Sequence, residues 1–455
     1  MTTLKQIEND TIVAVSTPPG RGAIGIVRLS GGRAREIAGR FCLTTSALTH
    51  GRVRRAKLVD GAGQVIDEAV VTLWEAPHSY TSEDVVEMAC HGSPVVLEQL
   101  VRGCVAAGAR LAEPGEFTQR AFLSGRLDLT QAEAVNDLIA AQTLAQTKVA
   151  AAQLGGSLAR ALGPMKDGLI HLIAALEAGI DFAEDDLDLL PDDAIAAQLQ
   201  AIVVPLEELA GSYRYGRTVR EGFTLAIVGR PNAGKSSLFN RLLRRDRAIV
   251  TALAGTTRDS IAEAHSLGGV PVQLIDTAGV RELAEGADDA EAQGIRRTHA
   301  AIAEADVVLH VIDATTGPEV HPEDAELMRL LEDRTHLIVL NKCDLAGDIS
   351  GVRGVRTSAL TGEGVDALEA AVIQSLGLTP AAADSALITN LRQHGAIEEA
   401  IAALRRAQAG VARGLPHELL LLDLHAALEA LGMLTGATST EDLLRLIFST
   451  FCIGK

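Results

Sequence analysis

Alternation of apolar and polar positions marks the first 120 residues as mixed strand and helix. AIGIVRL (23–29), AVVTLWE (69–75) and DVVEMAC (84–90) read as extended segments. After them Ser93 stands as an N-cap, with Pro94 at the first helical position, and VVLEQLVRGCVAA runs to a stop at Gly108, which predicts a helix. From Leu129 the pattern changes. Thr130 and Glu133 have the spacing of a capping box before a long Ala-rich stretch that runs past residue 150. Helical periodicity continues to about residue 215 and is broken by DFAEDDLDLLPDD (181–193), an acidic run that reads as a solvated linker. Three apolar runs, TLAIV, VQLID and HLIVL, then return the chain to strands, and residues 384–448 return it to helices, with HELLLLDLHAALEALGML and a second capping box at Ser439 and Asp442. The predicted fold class is multidomain α/β plus α. Its parts are an α/β domain (1–124), a first helical segment (125–216), an inserted domain with a mostly parallel sheet (217–379) and a second helical segment (380–455).

The densest chemical signal is GRPNAGKSS at 229–237, between the run TLAIV and the helical LFNRLL. Gly229, Gly234, Lys235 and Ser236 fit GxxxxGK[ST], in which glycines let the backbone curl so that its N–H groups face a phosphate. Lys235 would neutralise the β- and γ-phosphates and Ser236 would reach magnesium; Asn232, Ala233 and Ser237 complete the loop. Asp276 ends the second apolar run. Its carboxylate can hold magnesium through water, and the Gly279 N–H, after Thr277 and Ala278, can meet the γ-phosphate. Between these lies a switch-like segment, Thr251, Ala252, Leu253, Ala254, Gly255, Thr256 and Thr257, with Thr257 as a second magnesium ligand. Asn341, Lys342 and Asp344 form NKCD after HLIVL. The Asp344 carboxylate can accept from N1–H and the exocyclic amine of guanine, a pattern adenine lacks, and loss of such a pair costs on the order of 10⁴-fold in discrimination. Ser358, Ala359 and Leu360 bring a backbone N–H near the guanine O6, although a helix-capping serine is an alternative for Ser358. The motifs resemble the translation-factor-like GTPases over about residues 220–378. One departure stands out: where Ras-like proteins carry a water-orienting Gln after DTAG, this chain has Val280, which cannot hydrogen-bond through its side chain.

At 455 residues the chain has room for roughly three domains. Apolar residues make up 47% but aromatics only 3%, so packing must rest on aliphatic helix contacts. No run of 18 apolar residues occurs and MTTLKQIENDTI lacks a signal-peptide pattern, so a cytoplasmic protein with no membrane partner is expected. Five scattered cysteines argue against a disulfide framework and a zinc site. A net charge of −18 argues against a dedicated nucleic-acid surface. A local patch such as Arg52, Arg54, Arg55 and Lys57 remains for RNA, with a solvated strand face as the plainer reading.

Over its whole length the chain resembles the MnmE (TrmE) family of tRNA modification GTPases. STPPGRGAIGIVRLSG (16–31), PGEFTQRAFLSGRLDLTQAEAVNDLI (114–139), the GTPase motifs with TTRD, and the terminal FCIGK (451–455) carry the resemblance. It implies a homodimer formed through the N-terminal domain, a bound 5-formyl-tetrahydrofolate or related derivative, and an FAD-dependent partner subunit, MnmG. The implied activity is modification of the wobble uridine of tRNA at C5, by a carboxymethylaminomethyl or aminomethyl group, with GTP hydrolysis driving a conformational cycle. By motif match, Arg28, Glu87, Arg126 and Lys455 are implied folate contacts, Arg126 standing where some relatives have Lys. The alternative for Arg28 and Glu87 is a strand-face ion pair. Asn232, with Thr251 and the carbonyls of Leu253 and Thr256, matches a potassium site that can do the work of an arginine finger; a plain turn residue is the alternative for Asn232. Glu291 in AEAQGIRR is implied as the acid that orients water, catalytic together with Lys235, with Glu282, Glu285, Asp288 and Asp289 as neighbouring rivals. Cys452 reads as a packing residue rather than a nucleophile, since nothing in the sequence would activate it.

Overall fold

Period-two burial builds the first sheet. In the strand Gly22–Ser30, Val27 and Leu29 are buried while Arg28 between them points to the other face. The computed structural model describes residues 10–181, 190–245, 265–276, 299–316, 321–346, 353–377, 386–437 and 441–454. The described residues up to Asn136, with those from Leu428 onward, form one compact unit, and those from Asp137 to Ala427 form another.

In the first unit β1 (Ile12–Val15), β2 (Gly22–Ser30), α1 (Ala34–Phe41), β3 (Cys42–Thr44), β4 (Val53–Val59), β5 (Val65–Trp74), β6 (Val85–Gly92), α2 (Pro94–Ala106) and β7 (Arg110–Leu111) follow in order. The sheet runs β3-β4-β5-β6-β2-β1-β7, antiparallel except that β7 lies parallel to β1. One face packs Val27, Leu29, Val71, Leu73 and Met88 against Ile37, Phe41, Leu97, Leu100 and Cys104 of the two helices. The other face carries Arg28 directly opposite Glu87 in the β2·β6 register. The three expected extended segments and the helix after Ser93 are present, with Pro94 in the first turn; Ser93 sits at the N-cap without a capping hydrogen bond from its side chain.

Next come α3 (Glu116–Leu123), α4 (Leu129–Ala140), α5 (Leu144–Leu154), α6 (Ser157–Asp181), α7 (Asp192–Gly211) and α8 (Tyr213–Glu221). The predicted capping box at Thr130 and Glu133 lies two residues too late. The Gln131 N–H donates to Asp128 Oδ1 at 2.8 Å and the Asp128 N–H donates to Gln131 Oε1 at 3.0 Å, so Asp128 caps α4 and Thr130 is inside it. Nor is the Ala-rich stretch continuous: α4 stops at Ala140, and a new capping box at Thr143 and Gln146 starts α5.

The inserted sheet consists of β8 (Phe223–Val228), α9 (Lys235–Arg245), β9 (His265–Leu267), β10 (Val270–Asp276), β11 (Val307–Asp313), α10 (Pro322–Leu330), β12 (His336–Asn341), β13 (Val355–Arg356) and α11 (Val365–Ser375). Its order is β13-β12-β11-β8-β10-β9, parallel throughout except for β9. The chain leaves β8 for one side of the sheet and later returns to its other side, which makes the carboxyl end of β8 the topological switch point, where open α/β sheets take ligands.

The chain finishes with α12 (Leu391–Ala412), α13 (His417–Thr435) and α14 (Glu441–Ser449); the second predicted capping box involves Ser439, outside the described residues. Within the second unit α12 packs on α7, and the Gln153 amide donates to the carbonyl of Leu387, so helical segments from before and after the sheet share one layer. By length and composition alone the stretch Asp192–Glu221 is apolar enough to cross a membrane. Its residues Ile195, Leu199, Ile202, Val203 and Leu206 are buried at helical spacing, as in a core helix.

Candidate functional site

All but one residue of β8 are buried, because helices cover both faces of a parallel sheet and leave no polar side for alternation. Beyond Val228 the chain curls. Gly229 has φ 147°, and a Cβ there would lie 2.2 Å from the carbonyl oxygen of Val311. Asn232 takes φ 66°, and Gly234 has φ 90° with a would-be Cβ 2.2 Å from Asn341 Nδ2. Two of the three positive-φ positions are therefore closed to any side chain. Lys235 then opens α9, and its Nζ turns back to donate to the carbonyls of Gly229 and Arg230, each at 2.8 Å. An ammonium inside a backbone curl, ahead of a helix N-terminus, suits a polyanion. Ser236 and Ser237 follow, exposed, in the first turn of the helix, and the Asn232 side chain is exposed too.

Asn341 closes the second part of this corner. It ends β12 almost fully buried; its Nδ2 donates to the Ala233 carbonyl at 3.0 Å and its Oδ1 accepts from the Ala359 N–H at 3.0 Å. A single amide thus ties the loop after β8 to the turn at Ser358–Leu360. Ser358 is buried and its hydroxyl accepts from the Thr361 N–H, so it closes that turn; the helix that follows is capped by Gly364 instead. Lys342, at φ 65°, donates from Nζ to Asp313 Oδ2 at 2.6 Å. Burial opposes ionisation of Asp313, but hydrogen bonds from Lys342 and Thr315 outweigh it and hold the carboxyl below its ordinary range. Asp344 and Leu360 are exposed at the rim. Arg241, which the sequence reading passed over, donates to the carbonyls of Ala359 and Leu360; it sits six residues into the helix that starts at Lys235, where spacing alone carries no signal. The backbone of Asp276 ends β10 beside β8 at the same sheet edge. Its side chain, together with Thr251 to Thr257, Thr277 to Gly279 and Glu291, lies outside the described residues.

A second cluster occupies the first unit. Arg28 grips Glu87 through Nη2 at 2.7 Å and Nε at 2.9 Å, and its Nη1 donates to the carbonyl of Gly454 at 3.3 Å. The Arg28 guanidinium stands 5.9 Å from the Tyr80 ring centroid and 5.6 Å from that of Phe117. Arg126 stands 5.8 Å from the Tyr80 ring and donates to the Ser79 carbonyl. Three of the four residues expected there, Arg28, Glu87 and Arg126, are therefore brought together around Tyr80; Lys455 lies outside the described residues. Burial pushes the Tyr80 hydroxyl above its ordinary pKa, against the pull of its bond to Thr118 and of the two arginines, so it stays a neutral phenol. The carboxyl-terminal segment is pinned here by Ser16 Oγ donating to the Gly454 carbonyl and by an antiparallel bridge between Pro114 and Ile453.

Nearby, a charge network absent from the sequence reading joins Arg120 to Asp10, Glu83 and Glu116, and Arg110 to Asp10 and Glu116, with Arg120 and Glu116 both buried. Cys452 is exposed, whereas burial pushes the Cys42 and Cys104 thiols up to about 12. Among the described residues no group of three or more His, Cys, Asp or Glu side chains could hold a metal ion. Of the basic patch, Arg55 pairs with Glu68 at 2.6 Å across β4 and β5, and Lys57 lies opposite the same Glu68.

Residues 11–126 match the family model described as GTP-binding protein TrmE N-terminus, and residues 129–452 match the one described as MnmE helical domain. A protein described as tRNA modification GTPase MnmE from Koribacter versatilis (strain Ellin345) is 50% identical over 458 residues, covering 98% of this chain and 99% of that one. Proteins of the same description from Symbiobacterium thermophilum and Aquifex aeolicus (strain VF5) are 47% and 42% identical, over 98% of this chain and 99% and 100% of theirs.

Proposed function

The chain belongs to the MnmE family of tRNA modification GTPases, and as a GTP hydrolase acting in tRNA modification we propose that it is activated by potassium and serves wobble-uridine modification at C5. The group added is carboxymethylaminomethyl or aminomethyl. A tetrahydrofolate derivative, 5-formyl-tetrahydrofolate or a relative, is the one-carbon source, and a homodimer of this chain works with the FAD-dependent MnmG subunit in the cytoplasm. The proposed division of labour gives residues 1–124 folate binding and dimerisation, 217–379 the nucleotide, and 125–216 with 380–455 a helical frame.

The observation that carries the nucleotide half is Asn341, whose amide joins the loop at Ala233 to the turn at Ala359. In this reading the curl at Gly229–Gly234 wraps the phosphates, the Lys235 ammonium moves from the two loop carbonyls onto the β- and γ-phosphates, and Asp344 reads the guanine edge. Ser236 and Thr257 would hold magnesium, which neutralises phosphate charge when bound; an exposed hydroxyl at the start of α9 suits that task. Potassium, held by Asn232, Thr251 and the Leu253 and Thr256 carbonyls, would add positive charge between the β- and γ-phosphates. The exposed Asn232 amide in its left-handed loop position fits a ligand role. Glu291 would orient the attacking water that Val280 cannot.

For the folate half, the donor set around Tyr80 is chemically suitable. Glu87 can accept from the amide and amino edge of a pterin, while Arg28, Arg126 and Lys455 suit a glutamate tail. When bound, the folate supplies the one-carbon unit; the chain's residues orient it and shield it from water.

Two measurements test this function. Wobble uridine analysed by mass spectrometry in a deletion strain should lack the C5 substituent and regain it when the wild-type chain is restored; intact modification in the deletion strain would end the tRNA assignment. GTP turnover should be much faster in potassium than in sodium, and Asn232→Ala should erase that difference. Equal rates in the two salts would remove potassium from the site.

A further inference from the structure

Three positions in the loop after β8, Gly229, Asn232 and Gly234, hold backbone conformations that the surrounding structure must enforce. Gly229 is wedged against Val311 of β11, and Asn341 holds Ala233 and Gly234, which leaves the loop at Arg230 to be fixed by something else. Behind it lies a buried polar pair that the nucleotide chemistry does not use. His310, in β11, is fully buried, and its Nε2 lies 3.2 Å from Oδ1 of Asp324 in the first turn of α10, itself buried. The other Asp324 oxygen faces Arg230 Nη1 at 3.9 Å, and Glu323 Oε2 lies 3.4 Å from Arg230 Nε. Burial lowers the His310 pKa, and the hydrogen bond that its Nε2–H donates to Asp324 does not offset it, so the imidazole stays neutral near neutral pH and the positive charge facing Asp324 is that of Arg230. A carboxylate buried this far needs such a cation. Arg230 is the residue after Gly229, and the carbonyls of these two residues receive the Lys235 ammonium.

We propose that Asp324, seated on His310, is a positioning residue for nucleotide binding: it holds the Arg230 guanidinium and so fixes the Gly229–Arg230 backbone on which the phosphate curl is built. This rests on residues 229–236 being the phosphate loop. The effect reaches the substrate only through the loop's shape. It should therefore appear in nucleotide affinity and much less in the rate at saturation, because a cradle that binds ground state and transition state alike changes KM rather than kcat.

The test uses the full chain, a fluorescent GDP analogue and GTP turnover, with Asp324→Asn, Arg230→Ala, both together, and Arg230→Lys. Each of the first two should weaken GDP binding and raise KM by about tenfold, with kcat changed less than about twofold. The double variant should be no weaker than the worse single one, and Arg230→Lys, which keeps a cation for Asp324, should recover most of the affinity. Additive losses, unchanged affinity, or a loss confined to kcat would overturn the positioning role. Lys235→Ala separates the two readings: if it too leaves GDP affinity unchanged, the phosphate loop itself is misassigned, whereas its collapse beside an unaffected Asp324→Asn sinks only the role of Asp324. If Asp324→Asn does not fold, the two Arg230 variants decide. Weakening by Ala and recovery by Lys uphold the anchor, and equal affinities among wild type, Ala and Lys overturn it.

Discussion

The loop after β8 and the cluster around Tyr80, the two sites proposed to hold charged ligands, are built from different material. The loop is contiguous. Its shape comes from Gly229, Asn232 and Gly234 at positive φ and from carbonyls and amides of neighbouring residues, so most of its recognition chemistry is backbone. The Tyr80 cluster draws Arg28 from β2, Glu87 from β6, Phe117 and Thr118 from α3, Arg126 from the turn after it, and the Gly454 carbonyl from the end of the chain, so its chemistry is nearly all side chain. A backbone site is intolerant of any added atom but indifferent to many exposed residues. A side-chain site should respond in graded steps as each donor is changed.

The largest expected effect probes a place where the backbone-built corner relies on an exposed side chain, Asp344. Asp344→Asn should move base preference from guanosine to xanthosine triphosphate, because Asn offers both a donor and an acceptor and xanthine has a carbonyl where guanine has its amine. The combined shift should be on the order of 10⁴-fold. Competition of the two nucleotides against one fluorescent analogue reads it directly, and an Asp344→Asn protein that still prefers GTP would mean that base choice, too, resides in the backbone. Next in size is Gly234→Ala. One methyl group at φ 90° and 2.2 Å from Asn341 Nδ2 must shift either the loop or the amide that ties it to Ala359. GDP affinity measured by calorimetric titration should fall by about 100-fold, or ~2.7 kcal/mol. Retained affinity would refute the backbone description of this site.

The Tyr80 cluster should behave more gently. Arg28→Lys keeps the charge but loses the fork that meets Glu87 through two nitrogens. Affinity for 5-formyl-tetrahydrofolate should drop by about tenfold, with GTP turnover unchanged, since each donor contributes separately. An all-or-none loss on this conservative change would erase the contrast between the two sites.

How much of each site could be read in advance follows from the same contrast. Gly229 to Ser236 carry their backbone demands and their chemistry within eight consecutive residues, so spacing alone exposes them. Asn341 was legible as part of NKCD, but its double hydrogen bond to Ala233 and Ala359 belongs to tertiary structure, as does the hold of Arg241 on the Ala359 and Leu360 carbonyls. Arg28, Glu87 and Arg126 are scattered over about a hundred residues and were reached only through family resemblance. Tyr80, in HSYTSED, matches no spacing rule, and its role emerges only when both arginines are seen over its ring. The misplaced cap of α4 has a simpler cause. Asp128 with Gln131 and Thr130 with Glu133 satisfy the same pattern two residues apart, and the choice falls to Asp128 because Leu129 and Thr130 are fully buried within the first turn.

The smallest expected effect lies in the charge network of the first unit and sharpens the side-chain half of the comparison. Burial raises the Asp10 pKa, but hydrogen bonds from Arg110 and Arg120 lower it further, so the carboxyl sits below its ordinary value of 3.8. A carboxyl held low binds fewer protons folded than unfolded, so it adds stability above its unfolded pKa and loses that contribution as pH falls through the folded value. Asp10 is less than a third exposed, and at neutral pH Asp10→Asn should cost about 1 kcal/mol, the scale of a partly solvated ion pair. The chain has one tryptophan, Trp74, and it lies on β5 of the same unit, so urea unfolding followed by its fluorescence reports this region in the intact protein. The wild type and Asp10→Asn curves should differ above about pH 5 and converge as pH falls below 3.8 and then through the lower folded value, beneath which a protonated Asp10 no longer pairs as an ion. A gap that persists unchanged at low pH would show that Asp10 acts through hydrogen bonding and packing rather than charge, and that the network tolerates loss of one member in the way a contiguous loop does not.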